Sequence, residues 1–558
     1  PGVRARTFHA EALSQYGRFC KEPGELLSSK AQLLAPLVSA LPRPYRFVPV
    51  RDVAAEIEWA KNRRIPADRY REEVGERQTP LPPDLISGLF LSYERRKARA
   101  GLIDFEDLLE RTIELLLDQG ARGAVRGSYR AFTVDEYQDV NILQQTLLEI
   151  WVGDRDDLCV VGDDYQSIFG FTGATPEYLL RFPERYPGCR LVRLTQNYRS
   201  TPQILQVANR LVPRMAGSSK DLRTVADPGP EPLFRQHPNA RQEVGWIVEH
   251  ARRLHEKAVP WEEMAVLYRI NGRSEELEEA LSAARIPYQV RDGAFLRRPA
   301  ARSLMARLRR IDTADVAAAV ERVVRDLGLR EDLEAEGPLG EEATRQADLG
   351  RLLNLAREYP GAGRIPGFVA DLQRRFAPEE QGRGIQLMTY HRAKGLEFEA
   401  VFLPRLEDKE LPFVLAKSSE ALAEERRLLY VGITRAKRFL FVSWAESREG
   451  ERRRRQAPSP FLDEIRPPLT TAPRVVARRE VRVGGADLFG ALKQWRLMQA
   501  RDRGVSAFVI LYDRTLLEIV DRRPQTLTEL QAVPGIGPAK VARYGEEILS
   551  IVKAHPHG

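Results

Sequence analysis

Apolar and polar positions change rhythm several times along the chain. Between residues 21 and 102 the apolar residues recur at helical spacing, in AAEIEWAKNRR and ISGLFLSYERRKARAG, interrupted by the proline-rich LPRPYRF and TPLPPD. This predicts a small helical unit inserted in a larger one. From 103 to 194 short apolar runs, AFTV, LCVVG and CRLVRL, alternate with helical stretches such as ILQQTLLEIW. Unbroken apolar runs between helices are the pattern of a parallel sheet covered on both faces. A second such unit starts near 195 with EMAVLYRI, pauses for an arginine-rich helical stretch from 286 to 383, and resumes with IQLMTYHRAKG, AVFLP and RFLFVSWA. The tail from 486 is helical throughout and includes PGIGPAKVARYG.

A chain of 558 residues is too long for one core and is expected to form several domains. Its 87 Lys and Arg exceed its 79 Asp and Glu, a net of +8, which favours an anionic partner only modestly at this length. The bias is concentrated: residues 451–483 carry nine arginines against four acids, with five prolines and no periodicity, and so predict a basic linker. Cys20, Cys159 and Cys189 have no metal-ligand spacing and make no disulfide framework, which fits a reducing cytoplasm. No apolar run approaches the roughly 18 residues of a membrane span, so no membrane partner is expected.

The chemistry is densest where strands end. In FTVDEYQD, Asp135 is placed to hold Mg²⁺ through its water shell, and Glu136 to orient and deprotonate a water attacking a terminal phosphate. The plainer alternative is a strand running into a solvated acidic turn. In VVGDDYQSIFGFTGA, Gln166 can sense that phosphate. Phe169 and Phe171, two apart in a segment expected to be extended, can present both rings to a nucleic-acid base, or simply fill a core. In LTQNYRST, Tyr198 can stack a purine and Arg199 can neutralise charge on a transferred phosphoryl group. Arg435 in GITRAK is a second such arginine, and ordinary surface arginines are the alternative for both. In PGIGPAK, Lys540 and nearby backbone N–H groups can meet a DNA phosphate, or the segment can be a plain helical corner.

Taken in order, RTFHAEAL, IDFEDLL, VDEYQDVN, VVGDDYQSIFGFTGA, LTQNYRST, MAVLYRINGRSEELEEAL, IQLMTYHRAKGLEFEAVFLP and EERRLLYVGITRAK resemble the successive motifs of UvrD/PcrA/Rep-type superfamily 1 DNA helicases, across residues 6 to 437. VILYDRTLLEI, TLTEL and VPGIGPAKVARYG resemble an HRDC domain. The resemblance implies an α/β fold of two RecA-like parallel-sheet domains with helical insertions plus a C-terminal all-helical HRDC domain. Residues 1–20 and 103–180 would form the first RecA-like domain and 21–102 its insertion. Residues 181–285 and 384–446 would form the second, 286–383 a reduced insertion, 447–484 the linker and 485–558 the HRDC domain.

The same resemblance implies an ATP- and Mg²⁺-dependent motor on single-stranded DNA and single/double-strand junctions, normally 3′ to 5′, acting in the cytoplasm in repair or replication with DNA-repair proteins as partners. It assigns Asp135 and Glu136 to Mg²⁺ and the catalytic base, Gln166 to the γ-phosphate, Arg199 and Arg435 to the two arginine fingers, Tyr198 to adenine and Glu397 to the ribose. Thr7, His9, Phe169, Phe171, Thr389 and His391 would contact DNA, with a hydrogen-bonded structural histidine as the alternative for His391.

The chain departs from the family pattern in three places. GAGRIPG and PGIGPAKV are glycine-rich, but neither follows a strand with the lysine and hydroxyl residue of a phosphate loop. The resemblance puts that loop within the roughly 80 residues before RTFHA, hence upstream of Pro1. Taken alone, a polypeptide without it is expected not to hydrolyse ATP, and the alternative reading is an ATPase-dead DNA-binding or docking remnant. Thr172 stands where the family often has arginine, and the 286–383 insertion is short for its kind.

Overall fold

The computed structural model describes residues 2–21, 23–75, 77–215, 217–218, 222–291, 294–311, 313–329, 340–359, 364–376, 384–448, 456–466, 486–502, 510–511 and 513–555. The chain divides into two compact units, Pro1–Pro468 and Leu469–Gly558. Most of the basic linker expected at 447–484 lies outside the described residues.

In the first unit, α1 (Phe8–Phe19) precedes a helical group that includes α2 (Val50–Asn62) and α3 (Pro83–Arg99). Trp59, Tyr70, Phe90 and Tyr93 close the core of that group. α4 (Phe105–Leu115) begins on a reciprocal cap: Asp104 accepts from the Asp107 N–H, and Asp107 accepts from the Asp104 N–H. The chain then enters β1 (Phe132–Val134), α5 (Ile142–Val152) and β2 (Leu158–Val160), with β1 and β2 paired in parallel. The apolar run 189–194, expected as a further strand, forms none: Leu191, Val192 and Leu194 are 61, 64 and 80% exposed. A strand is stable only with a ladder partner, and no described strand runs beside this one.

The second α/β lobe carries a six-stranded parallel sheet in the order β3 (Leu233–His237), β8 (Ala436–Ala445), β7 (Phe398–Leu403), β4 (Met264–Tyr268), β6 (Ile385–Thr389), β5 (Tyr288–Val290). All five residues of β4 and of β6 are buried, as befits central parallel strands; β4 is apolar throughout, whereas β6 also buries the polar Gln386 and Thr389. α6 (Ala240–Glu256) covers one face, and α11 (Ser419–Ile433) packs on the other. Between β5 and β6 the chain builds a helical group with its own core from α7 (Pro299–Leu308), α8 (Val316–Asp326), α9 (Gly340–Glu358) and α10 (Ile365–Arg375). This group meets the other helical group, where Arg51 pairs with Glu341 at 2.7 Å and Phe47 lies against Gly328. Both carboxylate oxygens of Asp52 on α2 accept from the Glu341 and Glu342 N–H groups at 2.9 Å, capping α9 from a distant part of the chain.

The second unit is all-helical: α12 (Ala486–Asp502), α13 (Asp513–Arg522), α14 (Leu527–Gln531) and α15 (Pro538–Ala554) enclose Leu492, Trp495, Leu516, Leu530 and Ile548. Among the described residues no helix is long and apolar enough to cross a membrane.

Candidate nucleotide and DNA site

β1 ends on the two acids. Asp135 is exposed, and its carboxylate accepts from the Glu136 N–H at 2.9 Å. Glu136 takes a left-handed conformation (φ 51°, ψ 39°), which costs a residue with a side chain on the order of 1 kcal/mol or more. The turn lets the Tyr137 N–H bond to the Val161 carbonyl at 2.9 Å, tying it to the end of β2. Gln138, fully buried, links the two strand-end turns: its amide donates to Glu136 at 2.5 Å and its carbonyl accepts from the Asp163 N–H at 2.9 Å. A side chain on Gly162 would meet Gln138 Oε1 at 2.5 Å, so only glycine allows this approach.

Across the seam lie the cations of the second lobe. Arg435 is 1% exposed, and its guanidinium donates to the Val431 and Leu396 carbonyls and, at 3.2 Å, to Gln166 Oε1 of the first lobe. Burial, with nearby Arg199 adding to it, lowers its pKa to about 10, so it stays charged at neutral pH. Arg199 donates to Glu397 at 2.7 Å and to the Thr434 carbonyl at 3.4 Å. Glu397 also lies 3.3 Å from Lys437, and the bond from Arg199, then that from Lys437, holds its carboxyl below the usual range. Tyr198 beside them is 75% exposed, with its hydroxyl donating to Gln196 at 3.0 Å. Contacts thus join Gln166 to Arg435 across the seam and Arg199 to Glu397 beside it, with Glu136 within 3.4 Å of Lys394 and with Asp135 and Tyr198 next to these residues in the chain.

Lys394, which the sequence reading missed, sits at the centre of that seam. It pairs with Asp139, lies 3.4 Å from Glu136 and donates to the Gln166 carbonyl at 2.8 Å. Burial raises the pKa of Asp139 against the pull of Lys394, and Asp139 Oδ1 is buried without a hydrogen-bond partner. Its position in HRAKGLEF, three residues before Glu397, was the available signal; a lone lysine in a polar turn has nothing in its type to distinguish it.

The hard oxygen donors of Asp135 and Glu136 suit Mg²⁺, while Lys394 occupies Asp139, and the facing arginines suit a polyphosphate. A different carboxylate cluster, Glu94, Asp104 and Asp107, is compact enough for a metal, but Lys61 and Lys97 fill it. Lys61 approaches Asp104 and Asp107 at 2.7 and 2.5 Å, and Lys97 approaches them at 3.0 and 2.6 Å.

The aromatic pair next to Gln166 differs from its expected shape. Gly170–Thr172 is a tight helical turn instead of an extended segment, and the turn, not a strand, brings the Phe169 and Phe171 rings to 5.9 Å. Phe169 packs on the second lobe's core, under the Lys394 ammonium, while Phe171 is exposed and meets His391 edge-on at 5.8 Å. Burial, reinforced by Arg269, pushes the imidazole of His391 down to about 3, so it is neutral at physiological pH. These three rings form a ladder across the two lobes. Thr389 is buried at the end of β6, leading into the turn that carries His391.

Thr7 and His9 stand elsewhere in the described contacts. The Thr7 hydroxyl caps α1 by accepting from Ala10 N–H at 3.2 Å, and His9 meets Phe105 edge-on at 5.7 Å. Burial and then Lys30 lower the pKa of His9. No described contact joins this pair to the ladder. Lys540 lies in the other unit, near the start of α15, its ammonium 3.4 Å from the Gly535 carbonyl.

The same segments are matched by models of known families. Residues 19–187 match the UvrD/REP helicase N-terminal domain, 192–331 and 368–447 the UvrD-like helicase C-terminal domain, and 485–552 the HRDC domain. A protein of Mycobacterium tuberculosis named ATP-dependent DNA helicase UvrD2 is 38% identical over a 606-residue alignment, spanning 99% of this chain and 87% of its own. ATP-dependent DNA helicase UvrD1 of the same organism is 32% identical over 73% of this chain and 67% of its own. ATP-dependent DNA helicase PcrA of Staphylococcus epidermidis is 27% identical over 75% of this chain and 69% of its own. Nearly end-to-end similarity to the first of these, with all three domain matches in order, makes the chain a member of the UvrD-like ATP-dependent DNA helicases, with an HRDC domain at its C-terminal side.

Proposed function

We propose that this protein is a motor that travels 3′ to 5′ along single-stranded DNA and separates duplex at single/double-strand junctions during DNA repair or replication. The observation carrying this reading is one short segment with two duties. Gln166 accepts from the second lobe's Arg435, while Phe169 and Phe171, three and five residues on, lead through a ring contact to His391. Closure of the seam on a nucleotide therefore pulls on the same stretch of backbone that presents aromatic rings to a base.

In this reading Asp135 holds Mg²⁺ through water, and Glu136 orients and deprotonates the attacking water. Gln166 reports the terminal phosphate, while Arg199, Arg435 and Lys394 face the phosphates with positive charge. Tyr198 stacks on the adenine, and Glu397 takes the ribose hydroxyls. Bound ATP supplies the anionic charge that draws the lobes together and, on cleavage, releases them. Arg199 rests on Glu397 in the structure, so the finger must leave that carboxylate to serve a phosphate. Phe171 and the neutral His391 offer stacking faces at about 1 to 3 kcal/mol per base, and because every base has a π-face that grip is independent of sequence. Thr7, His9 and Thr389 line the DNA track, and Lys540 adds a phosphate contact from the HRDC unit.

Replacing Glu136 by Gln in the full-length protein should abolish ATP hydrolysis while binding of single-stranded DNA persists; retained DNA-stimulated turnover would refute the role. Strand displacement from duplexes with only a 3′ or only a 5′ tail checks the polarity, and activity confined to the 5′ tail would reverse it.

A further inference from the structure

The segment from Gln166 to Phe171 is held by the second lobe at several points, and one of them has no part in the nucleotide or DNA contacts above. Arg427 on α11 donates through Nε to the Ser167 carbonyl at 2.7 Å. Ser167 lies between the residue facing the phosphate site and the residues facing DNA, and its own buried hydroxyl donates to the Gln138 carbonyl at 3.2 Å. Gln138 in turn holds Glu136. The Ser167 peptide is thus joined on one side to the catalytic turn and on the other to the second lobe.

α11 also meets this segment on either side of Arg427. The Glu424 carboxylate rests against Gly170, between the two phenylalanines, where an added Cβ would come within 2.7 Å of it. Arg435, two residues beyond the C-terminal end of α11, holds the Gln166 side chain. The adjacent Glu425 grips Arg269 through bonds of 2.9 to 3.2 Å, and Arg269 is the charge felt by His391. One rigid helix therefore leads from the phosphate-sensing end of the segment to its aromatic end, and Arg427 is the contact in the middle. Its guanidinium is partly withdrawn from water, which pushes its pKa down, with Glu424, Glu420 and Asp164 supporting the charge. At a partly buried position a charged donor to a carbonyl is stronger and more directional than on the open surface.

We infer that Arg427 is a positioning residue that couples the nucleotide seam to the DNA-facing rings: through the Ser167 carbonyl it makes the segment 166–171 move with α11 when the lobes close. This rests on the motor reading above and assigns Arg427 no contact with either ligand. Two sites coupled through one element must show reciprocal linkage, so nucleotide binding changes DNA affinity by a fixed factor, and breaking the element drives that factor toward one.

The test uses the full-length protein, a fluorescent oligo-dT and a non-hydrolysable ATP analogue with Mg²⁺. DNA affinity is measured with and without the analogue, analogue affinity is measured alone, and melting temperature is recorded. Arg427→Met keeps the aliphatic bulk and removes the donor. It should leave each separate affinity within about twofold while reducing the nucleotide-induced change in DNA affinity at least fivefold, or to unity where the wild-type factor is smaller. A Met variant with the wild-type linkage factor overturns the inference. If that variant melts more than about 5 °C low, Arg427→Lys is read instead, since its ammonium reaches the same carbonyl. Retention of at least half the coupling energy supports the inference, and anything less at unchanged affinities and melting temperature overturns it. A wild-type protein whose DNA affinity ignores the nucleotide would instead sink the motor reading itself.

Discussion

The two α/β lobes hold their halves of the site by different means. In the second lobe six parallel strands lie buried between helices, and Arg199, Arg435, His391 and Glu397 project from a continuous core. In the first lobe the strands that carry the acids are the β1–β2 pair, and Val161 at the end of β2 is exposed. Its acids are fixed instead by a handful of polar ties, with Gln138 at the centre. The acids of the first lobe thus answer to single donors, where the cations of the second answer to whole layers.

The largest effect that would break this contrast lies in the second lobe. Phe402, 1% exposed and stacked on Phe441 at 4.5 Å, should cost about 3 to 5 kcal/mol when cut to alanine, while Val161→Ala should stay within about 0.5. Equal losses in urea unfolding would erase the distinction. Next, Gln138→Ala strands buried polar partners and should cost about 1 to 3 kcal/mol, felt in the first lobe. Hydrogen exchange should speed up around residues 133–140 and 158–166 and stay unchanged in β4 and β6.

A smaller effect separates the lobes by pH. The pKa of His391 in the folded protein lies below that in the unfolded chain, so the unfolded chain binds more protons as pH drops below about 6.5. Stability should then fall with pH, by about 1 kcal/mol near pH 5.5. His391→Phe should remove that slope in melting experiments, and an unchanged slope would assign it elsewhere. Smallest of the substitutions with a measurable cost, Asp52→Ala removes the cap on α9 and should cost about 1 kcal/mol, seen as faster exchange in the first turn of that helix. Unaltered exchange there would show that the two helical groups do not depend on this contact.

Much of this was legible in the chain. Mainly apolar runs are dictated by burial on both faces, so β4, β6 and β7 could be read directly despite Gln386, Thr389 and Glu399 within the last two, and the acids at the end of β1 follow from where a strand gives way to polar residues. CRLVRL misled because apolar composition reports what a segment would bury, not whether a partner strand lies beside it. The turn at Gly170–Thr172 was missed for a related reason: spacing of two suits an extended segment, yet a tight turn also brings neighbouring rings together, and Glu424 closing on Gly170 is a contact more than 250 residues away in the chain. Gln138, Lys394 and Arg427 were invisible as types; their importance lies in which atoms they reach.

Arg435 carries a further consequence. Its guanidinium gave up most of its water when the lobe folded, and carbonyl, amide and hydroxyl oxygens, with Asp163 and Glu397 further off, now stand in for a directly paired counterion. Under the proposed mechanism a phosphate that reaches Arg435 meets a cation with little hydration left to shed, which favours closure without a wait for solvent to rearrange, and the bond to Gln166 is remade when the anion leaves.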